Sequence, residues 1–145
     1  MKKRLLALFP LLFGLAQAGD LVGVTPDELQ AMQERGALVV DVRTPEEWKS
    51  TGMIPGSKGL TYFDATGGYD KEGWLNQLQP WAAAAPGQPV ILVCRSGNRS
   101  ATVGKMLLSE GGYGKVYHLE KGIRGWSAES KPLLPRPVFG QALKQ

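Results

Sequence analysis

Val90-Ile91-Leu92-Val93 is an unbroken apolar run that passes directly into the polar segment Cys94-Arg95-Ser96-Gly97-Asn98-Arg99. That segment opens a helix-like stretch, Ser100 to Glu110, closed by Gly111-Gly112. A short β-branched run without polar interruption is the pattern of a strand covered on both faces, as in parallel sheets flanked by helices. Strand, tight polar loop and helix in immediate succession commit the middle of the chain to an α/β arrangement. They also place Cys94 at the carboxyl end of the strand, where open α/β sheets carry their ligand sites.

The rest of the chain alternates in the same way. Thr25-Pro26-Asp27-Glu28 predicts a helix start, with Thr25 as N-cap, Pro26 at the first helical position and Glu28 completing a capping box. Leu29, Met32 and Gln33 carry that helix on until Gly36. Leu38-Val39-Val40-Asp41-Val42 reads as a second buried strand. Thr44-Pro45-Glu46-Glu47 repeats the capping box for a short helix through Trp48 that Gly52 ends. Lys115 to Leu119 alternates apolar and polar residues as a strand does, and Gly122 to Trp126 predicts a turn or short helix. Between Leu60 and Pro89 the pattern is weaker: Gly67-Gly68 and Gly73 suggest loop, and Trp74 to Ala85 suggests a helix ended by Pro86-Gly87. Three prolines beyond Lys131 predict an irregular tail over residues 131–145. No repeat and no linker divides the chain, so a single α/β domain over residues 19–130 is expected, with a mostly parallel sheet.

Residues 1–18 read as a cleaved transport signal. Lys2, Lys3 and Arg4 form a positive start, Leu5 to Ala16 an apolar stretch of 12 residues, and Ala16-Gln17-Ala18 a cleavage site that leaves Gly19 first. Such a stretch, interrupted by Pro10 and Gly14, is too short to cross ~30 Å of hydrocarbon as a helix. A periplasmic or secreted protein is therefore expected, without membrane attachment after cleavage. Removing the three basic residues takes Lys+Arg from 17 to 14 against 13 Asp+Glu, a net charge of +1. With no basic run left, nucleic acid is not an expected partner. One cysteine excludes an internal disulfide and a multi-cysteine zinc site, and one histidine, His118, leaves no histidine metal centre. Oxidising compartments favour paired cysteines, so an unpaired one in an exported chain points to chemistry.

That chemistry centres on Cys94. Backbone N–H groups of the loop can converge on one point, the helix start adds partial positive charge, and Arg95 and Arg99 add two full charges. Each effect favours thiolate over thiol, which makes Cys94 a candidate nucleophile at neutral pH. Gly97 allows the backbone to turn tightly enough to aim those groups inward. Arg99 opens the helix and is the better placed of the two arginines for a pocket. As simple packing, Cys94 would be a small hydrophobe ending a strand, which leaves the two arginines beside it unexplained.

Taken in order, Asp41-Val42-Arg43, Glu47, Gly52-Met53-Ile54-Pro55-Gly56-Ser57, Cys94 to Ser100 and Gly122 to Trp126 closely resemble the motifs of the rhodanese-like domain, over about Val24 to Trp126. The resemblance implies a three-layer α/β sandwich, a mostly parallel central sheet with helices on both faces. It also implies sulfur transfer through a cysteine persulfide, with no metal and no organic cofactor. Small exported members of the family typically act as thiosulfate sulfurtransferases. Carried over by position, Cys94 is the catalytic nucleophile, and Arg95, Ser96, Gly97, Asn98 and Arg99 bind the substrate. Asp41, Arg43 and Ser100 support the site, the first two as a hydrogen-bonding pair with Glu47 or with the loop. Met53 departs from the pattern, since the family often has His there, and Leu60 to Pro89 matches no motif. A small anionic donor such as thiosulfate suits the arginines and the amides. Because Cys94 is the only cysteine, the acceptor must be an external thiol or cyanide. A monomer is expected.

Three other readings compete for the same residues. A cysteine phosphatase of related fold carries one more residue than the four that separate Cys94 from Arg99, and this loop has no acidic residue to protonate a leaving alcohol. A non-turnover persulfide carrier, delivering sulfur to a protein partner, uses the same residues. A Ser-His-Asp hydrolase would need a Gly-x-Ser-x-Gly elbow that the chain lacks. His118 is read as an ordinary strand residue, and Tyr113, Tyr117 and Trp126 as packing.

Overall fold

The computed structural model describes residues 20–135; the expected leader at 1–18, Gly19 and residues 136–145 lie outside them. In chain order the elements are β1 (Val22–Val24), α1 (Pro26–Glu34), β2 (Leu38–Asp41), α2 (Pro45–Thr51), β3 (Lys58–Gly59), α3 (Lys71–Ala84), β4 (Val90–Val93), α4 (Asn98–Glu110), β5 (Val116–Leu119) and α5 (Gly122–Ala128). The strands form one sheet in the order β1-β5-β4-β2-β3, and every pairing is parallel. The expected apolar run is its middle strand: all four residues of β4 are buried, between β5 and β2.

Strand alternation divides this core in two. Val39, Ile91 and Val93 share one face with Leu29 of α1 and with Ile123 and Trp126 of α5. Val40, Val90 and Leu92 face the other way, onto Leu75 and Leu78 of α3 and Val103 and Leu107 of α4. The strand order explains the division. From β1 to β2 the chain crosses the sheet in one direction, and from β3 through β4 to β5 it returns in the other. Right-handed crossovers then require the linking helices to lie on opposite faces, where α1 and the pair α3 and α4 are found. The reversal occurs between β2 and β4. Their carboxyl ends, side by side with Asp41 opposite Val93, form the crevice in which such sheets bind ligands.

Both capping boxes form, Thr25 with Glu28 and Thr44 with Glu47. The edge strands were not legible: β1 is three residues with a glycine at its centre, and β3 only two. Helix α3 begins before the expected Trp74. Asp70 caps it by accepting from the Gly73 N–H at 3.0 Å, so Gly73 belongs to the first turn and not to a loop. Helix α4 begins at Asn98 instead of Ser100, which shortens the polar loop to Cys94–Gly97. Lys131–Pro135 forms neither helix nor extended strand, but it is fastened down. Leu134 exchanges backbone hydrogen bonds with Met53, both at 2.8 Å, and the Trp126 indole N–H donates to the Pro132 carbonyl at 2.9 Å.

Candidate active site

Cys94 follows β4 directly and is buried, with 1% of its surface exposed. Its sulfur accepts a hydrogen bond from the Gly97 N–H at 3.1 Å, and its thiol donates to Ser100 Oγ at 3.4 Å. Of the loop amides expected to converge, the one at the sulfur is thus that of Gly97, the residue preceding α4. Gly97 sits at φ 103°, and a Cβ there would collide with the Glu120 carbonyl. Only glycine lets the loop pass that close to the end of β5.

The opposite wall of the loop is α5. Gly122 stands at φ 59°, and a Cβ on it would strike the carbonyls of Cys94 and Arg95. This close approach lets the Ile123 N–H donate to the Cys94 carbonyl at 2.9 Å and the Arg124 N–H to that of Arg95 at 3.0 Å. Gly122 therefore fixes the direction in which the loop leaves the strand. The expected turn or short helix at Gly122 to Trp126 is the start of α5, and its contact with the loop was not legible in the sequence.

The arginines have separate settings. Arg95 is exposed and lines a cavity of about 710 Å³ together with Ser50, Ile123, Arg124, Ser127 and Leu133. Arg99, the one expected to face the pocket, is half-buried and bound through both terminal nitrogens to Glu47, at 2.7 and 2.8 Å. On its far side a second cavity of about 560 Å³ is bordered by Asn98, Arg99, Thr102, Phe63 and Asp64. Glu47 borders both cavities. The hydrogen bond from Arg99 holds the Glu47 carboxyl below its usual range, against burial that pushes it up. Ser96 and Asn98 are exposed at the loop surface.

Asp41 and Arg43 are both buried to 1% exposure or less. Arg43 Nε lies 3.0 and 3.1 Å from the two Asp41 oxygens and Nη2 2.8 Å from Oδ2. The remaining donors go to Thr51 Oγ1 and the Gly52 carbonyl, each at 2.7 Å. The pair ties the end of β2 to the end of α2, and its partners differ from those expected. Arg43 grips the carboxyl end of α2, while Glu47 at the other end of that helix is taken by Arg99.

His118, read from the sequence as an ordinary strand residue, is brought against Ser100 by the fold. It lies beside Leu92 in the sheet, on the face covered by α4, and its Nδ1 is 2.9 Å from Ser100 Oγ. Burial pushes its imidazole below the ordinary value, and the nearby Glu120 acts against that shift. The available signal was the strand register, which puts His118 on the α4 side of β5. Among the described residues no group of three or more His, Cys, Asp and Glu is placed to hold a metal ion.

Residues 25–129 match the rhodanese-like domain. Thiosulfate sulfurtransferase GlpE of Pseudomonas fluorescens strain Pf-5 is 31% identical over 103 residues, which cover 71% of this chain and 82% of the relative. A solved structure of a thiosulfate sulfurtransferase from Pseudomonas aeruginosa shares the fold with a TM-score of 0.64 at 24% identity. The match covers 79% of this chain but only 20% of that one. Rv0390 from M. tuberculosis gives the same TM-score of 0.64 at 23% identity, over 81% of this chain and 99% of its own. With its cysteine directly after β4, a short loop leading into α4 and a family match over residues 25–129, this chain belongs to the rhodanese-like domain family.

Proposed function

We propose that the protein is a sulfurtransferase that takes the sulfane sulfur of a small anionic donor, thiosulfate, onto Cys94 and passes it to an external thiol or to cyanide. The observation that carries this reading is the setting of the single cysteine. Its sulfur stands at the carboxyl end of the middle strand, receives the Gly97 N–H, and lies within the electrostatic reach of Arg99 on the first turn of α4. Support also comes from relatives named as thiosulfate sulfurtransferases.

In the first step the Cys94 thiolate attacks the outer sulfur of thiosulfate. A new S–S bond forms, the old one breaks, and its electron pair leaves with sulfite. Two anionic groups are then present, a persulfide and a dianion, and the exposed guanidinium of Arg95 is suited to both. In the second step the acceptor attacks the outer persulfide sulfur and regenerates the thiolate. No oxidant or reductant is consumed over the cycle beyond donor and acceptor.

The reading includes export, supported by the basic start and apolar stretch of residues 1–18. Finding the protein outside the cytoplasm with Gly19 as its first residue is the expected result.

The test is the intact mass of the mature protein after thiosulfate treatment. A gain of one sulfur atom, abolished by Cys94→Ser and reversed by cyanide, is expected. A folded protein that gains nothing would remove thiosulfate as donor. Loading of Cys94 by a persulfide-bearing protein in its place would make the chain a carrier.

A further inference from the structure

We propose that His118 is a positioning residue for Cys94, acting through the Ser100 hydroxyl to hold the sulfur as a thiolate. The proposal rests on the reading that Cys94 is the nucleophile. It begins with a hydroxyl that has too many neighbours. Ser100 is fully buried, and its Oγ lies 3.4 Å from Cys94 Sγ, 3.1 Å from the Gly97 carbonyl and 2.9 Å from His118 Nδ1. A serine hydroxyl has one hydrogen to donate, so what it does for the sulfur depends on what the imidazole does for it.

The hydroxyl can give its hydrogen to the Gly97 carbonyl, which leaves none for the sulfur; two other arrangements give it to the ring or to the sulfur. In the first, Ser100 donates to a bare Nδ1, and its oxygen then accepts from the Cys94 thiol. In the second, Nδ1 carries the hydrogen and donates to Ser100 Oγ, which releases the hydroxyl hydrogen toward the sulfur. Only the second can serve a thiolate, because a thiolate accepts and cannot donate. Passing from the first to the second moves the thiol proton to Oγ, the hydroxyl proton to Nδ1, and the Nε2 proton from the ring to solvent. One proton leaves the protein and no other reactant is required. The ring is neutral at both ends of this exchange.

The surroundings of the ring agree with a neutral relay. Burial disfavours the imidazolium and Lys105 of α4 adds to that, while Glu120 at the end of β5 and the Gly97 carbonyl oppose it. The charged neighbour on the first turn of α4, Arg99, is directed to Glu47. From β1 the ring faces Gly23 and from β4 Leu92, neither of which carries charge.

The test is the pH profile of Cys94 alkylation by iodoacetamide, followed by intact mass on the whole protein. Cys94 is the only thiol in the chain, and the readout does not depend on which sulfur donor is correct. Wild type is compared with His118→Leu, His118→Asn, Ser100→Ala and the double variant Ser100→Ala/His118→Leu. His118→Leu and Ser100→Ala are expected to move the profile to higher pH and to slow alkylation at pH 7 by about five- to tenfold. His118→Asn, whose amide N–H stands where the Nδ1 hydrogen stood, should stay within about twofold of wild type. The double variant should be no slower than Ser100→Ala, since both changes break one chain.

A His118→Leu profile that overlies wild type would overturn the proposal. So would a folded His118→Asn protein displaced as far as His118→Leu, or a double variant showing the sum of the two single effects. The histidine variants decide the matter even if Ser100→Ala fails to fold. A wild-type Cys94 inert to iodoacetamide at every pH would overturn the nucleophile reading and the relay together. Normal alkylation with no sulfur gained from thiosulfate would remove the donor and leave the relay standing.

Discussion

Glu47 and Arg99 are 52 positions apart in the chain and meet through two parallel hydrogen bonds, Nη1 to Oε1 at 2.7 Å and Nη2 to Oε2 at 2.8 Å. Glu47 also completes the capping box of α2, accepting from the Thr44 N–H at 3.4 Å. One carboxylate therefore joins the start of α2 to the start of α4, the helix that carries the cysteine loop. Glu47→Ala loses both the cap and the pair, and is expected to cost about 1–2 kcal/mol in urea unfolding. In a double-mutant cycle with Arg99→Ala, a coupling of about 0.5–1 kcal/mol is expected for a half-exposed bidentate pair. A coupling of zero would show that the pair contributes nothing to the fold. Arg99→Ala should also slow sulfur loading from thiosulfate by about tenfold or more. Unchanged loading would remove Arg99 from the site.

The same carboxylate gives stability a pH signature. The folded value of Glu47 is depressed, chiefly by the Arg99 hydrogen bond, from an ordinary 4.5. Its contribution is complete above that ordinary value and is lost as pH falls below it through the folded value. His118 is also depressed, by burial, from an ordinary 6.5, so the unfolded chain takes up its proton first. Its contribution is present above 6.5 and declines as pH falls below that point. Wild type minus Glu47→Gln should therefore be level at neutral pH and narrow below about 4.5, whereas wild type minus His118→Asn should begin to narrow below about 6.5. Chemical unfolding at a series of pH values reads both. A Glu47→Gln difference that widens with acid would contradict the pairing.

What could be read from the chain follows the physics of each signal. Val90–Val93 and Leu38–Asp41 are buried on both faces, and such strands announce themselves as runs. The two Thr-Pro-x-Glu starts are complete in four residues each, so both helix origins were visible. Cys94 stood out because strand, loop and helix follow one another without a gap. The partners of Glu47 and Arg43 were not legible, because both residues lie near the same loops and the choice between them is made by tertiary geometry. His118 was passed over for a similar reason. On its own strand it alternates with Tyr117 and Leu119 like any half-buried residue, and it meets Ser100 only when β5 is set beside β4 and under α4. The edge strands β1 and β3 are too short to show a period, and their pairing is imposed by the strands beside them.

Asp41 and Arg43 form a buried ion pair whose removal has a clear expected result. Three side-chain contacts of 3.1 Å or less join them, and Arg43 spends its other donors on Thr51 and Gly52. Taking away one partner leaves the other as an uncompensated charge in the interior, so Asp41→Ala or Arg43→Ala should cost about 3–5 kcal/mol. Arg43→Lys should rescue little, since an ammonium cannot bridge the carboxylate and also reach the end of α2. Thermal unfolding of the three variants checks this. A lysine variant as stable as wild type would show that charge alone is required there.

Gly97 is the position at which loop geometry and chemistry are least separable. Its φ of 103° lies where side chains are rarely tolerated, and the missing Cβ is replaced by the Glu120 carbonyl. Gly97→Ala must therefore either push β5 away or rotate the loop, and rotation takes the Gly97 N–H off the Cys94 sulfur, now 3.1 Å distant. A loss of about 1–3 kcal/mol is expected. Sulfur loading should fall further than the unfolded fraction explains, because molecules that remain folded have lost their donor to the sulfur. Gly122→Ala, which also meets backbone but touches the carbonyls of Cys94 and Arg95, should lower stability by a similar amount. Loading per folded molecule separates the two accounts. If folded Gly97→Ala protein loads sulfur at the wild-type rate, the Gly97 amide has no part in the chemistry, and the glycine serves only to let the chain pass beneath β5.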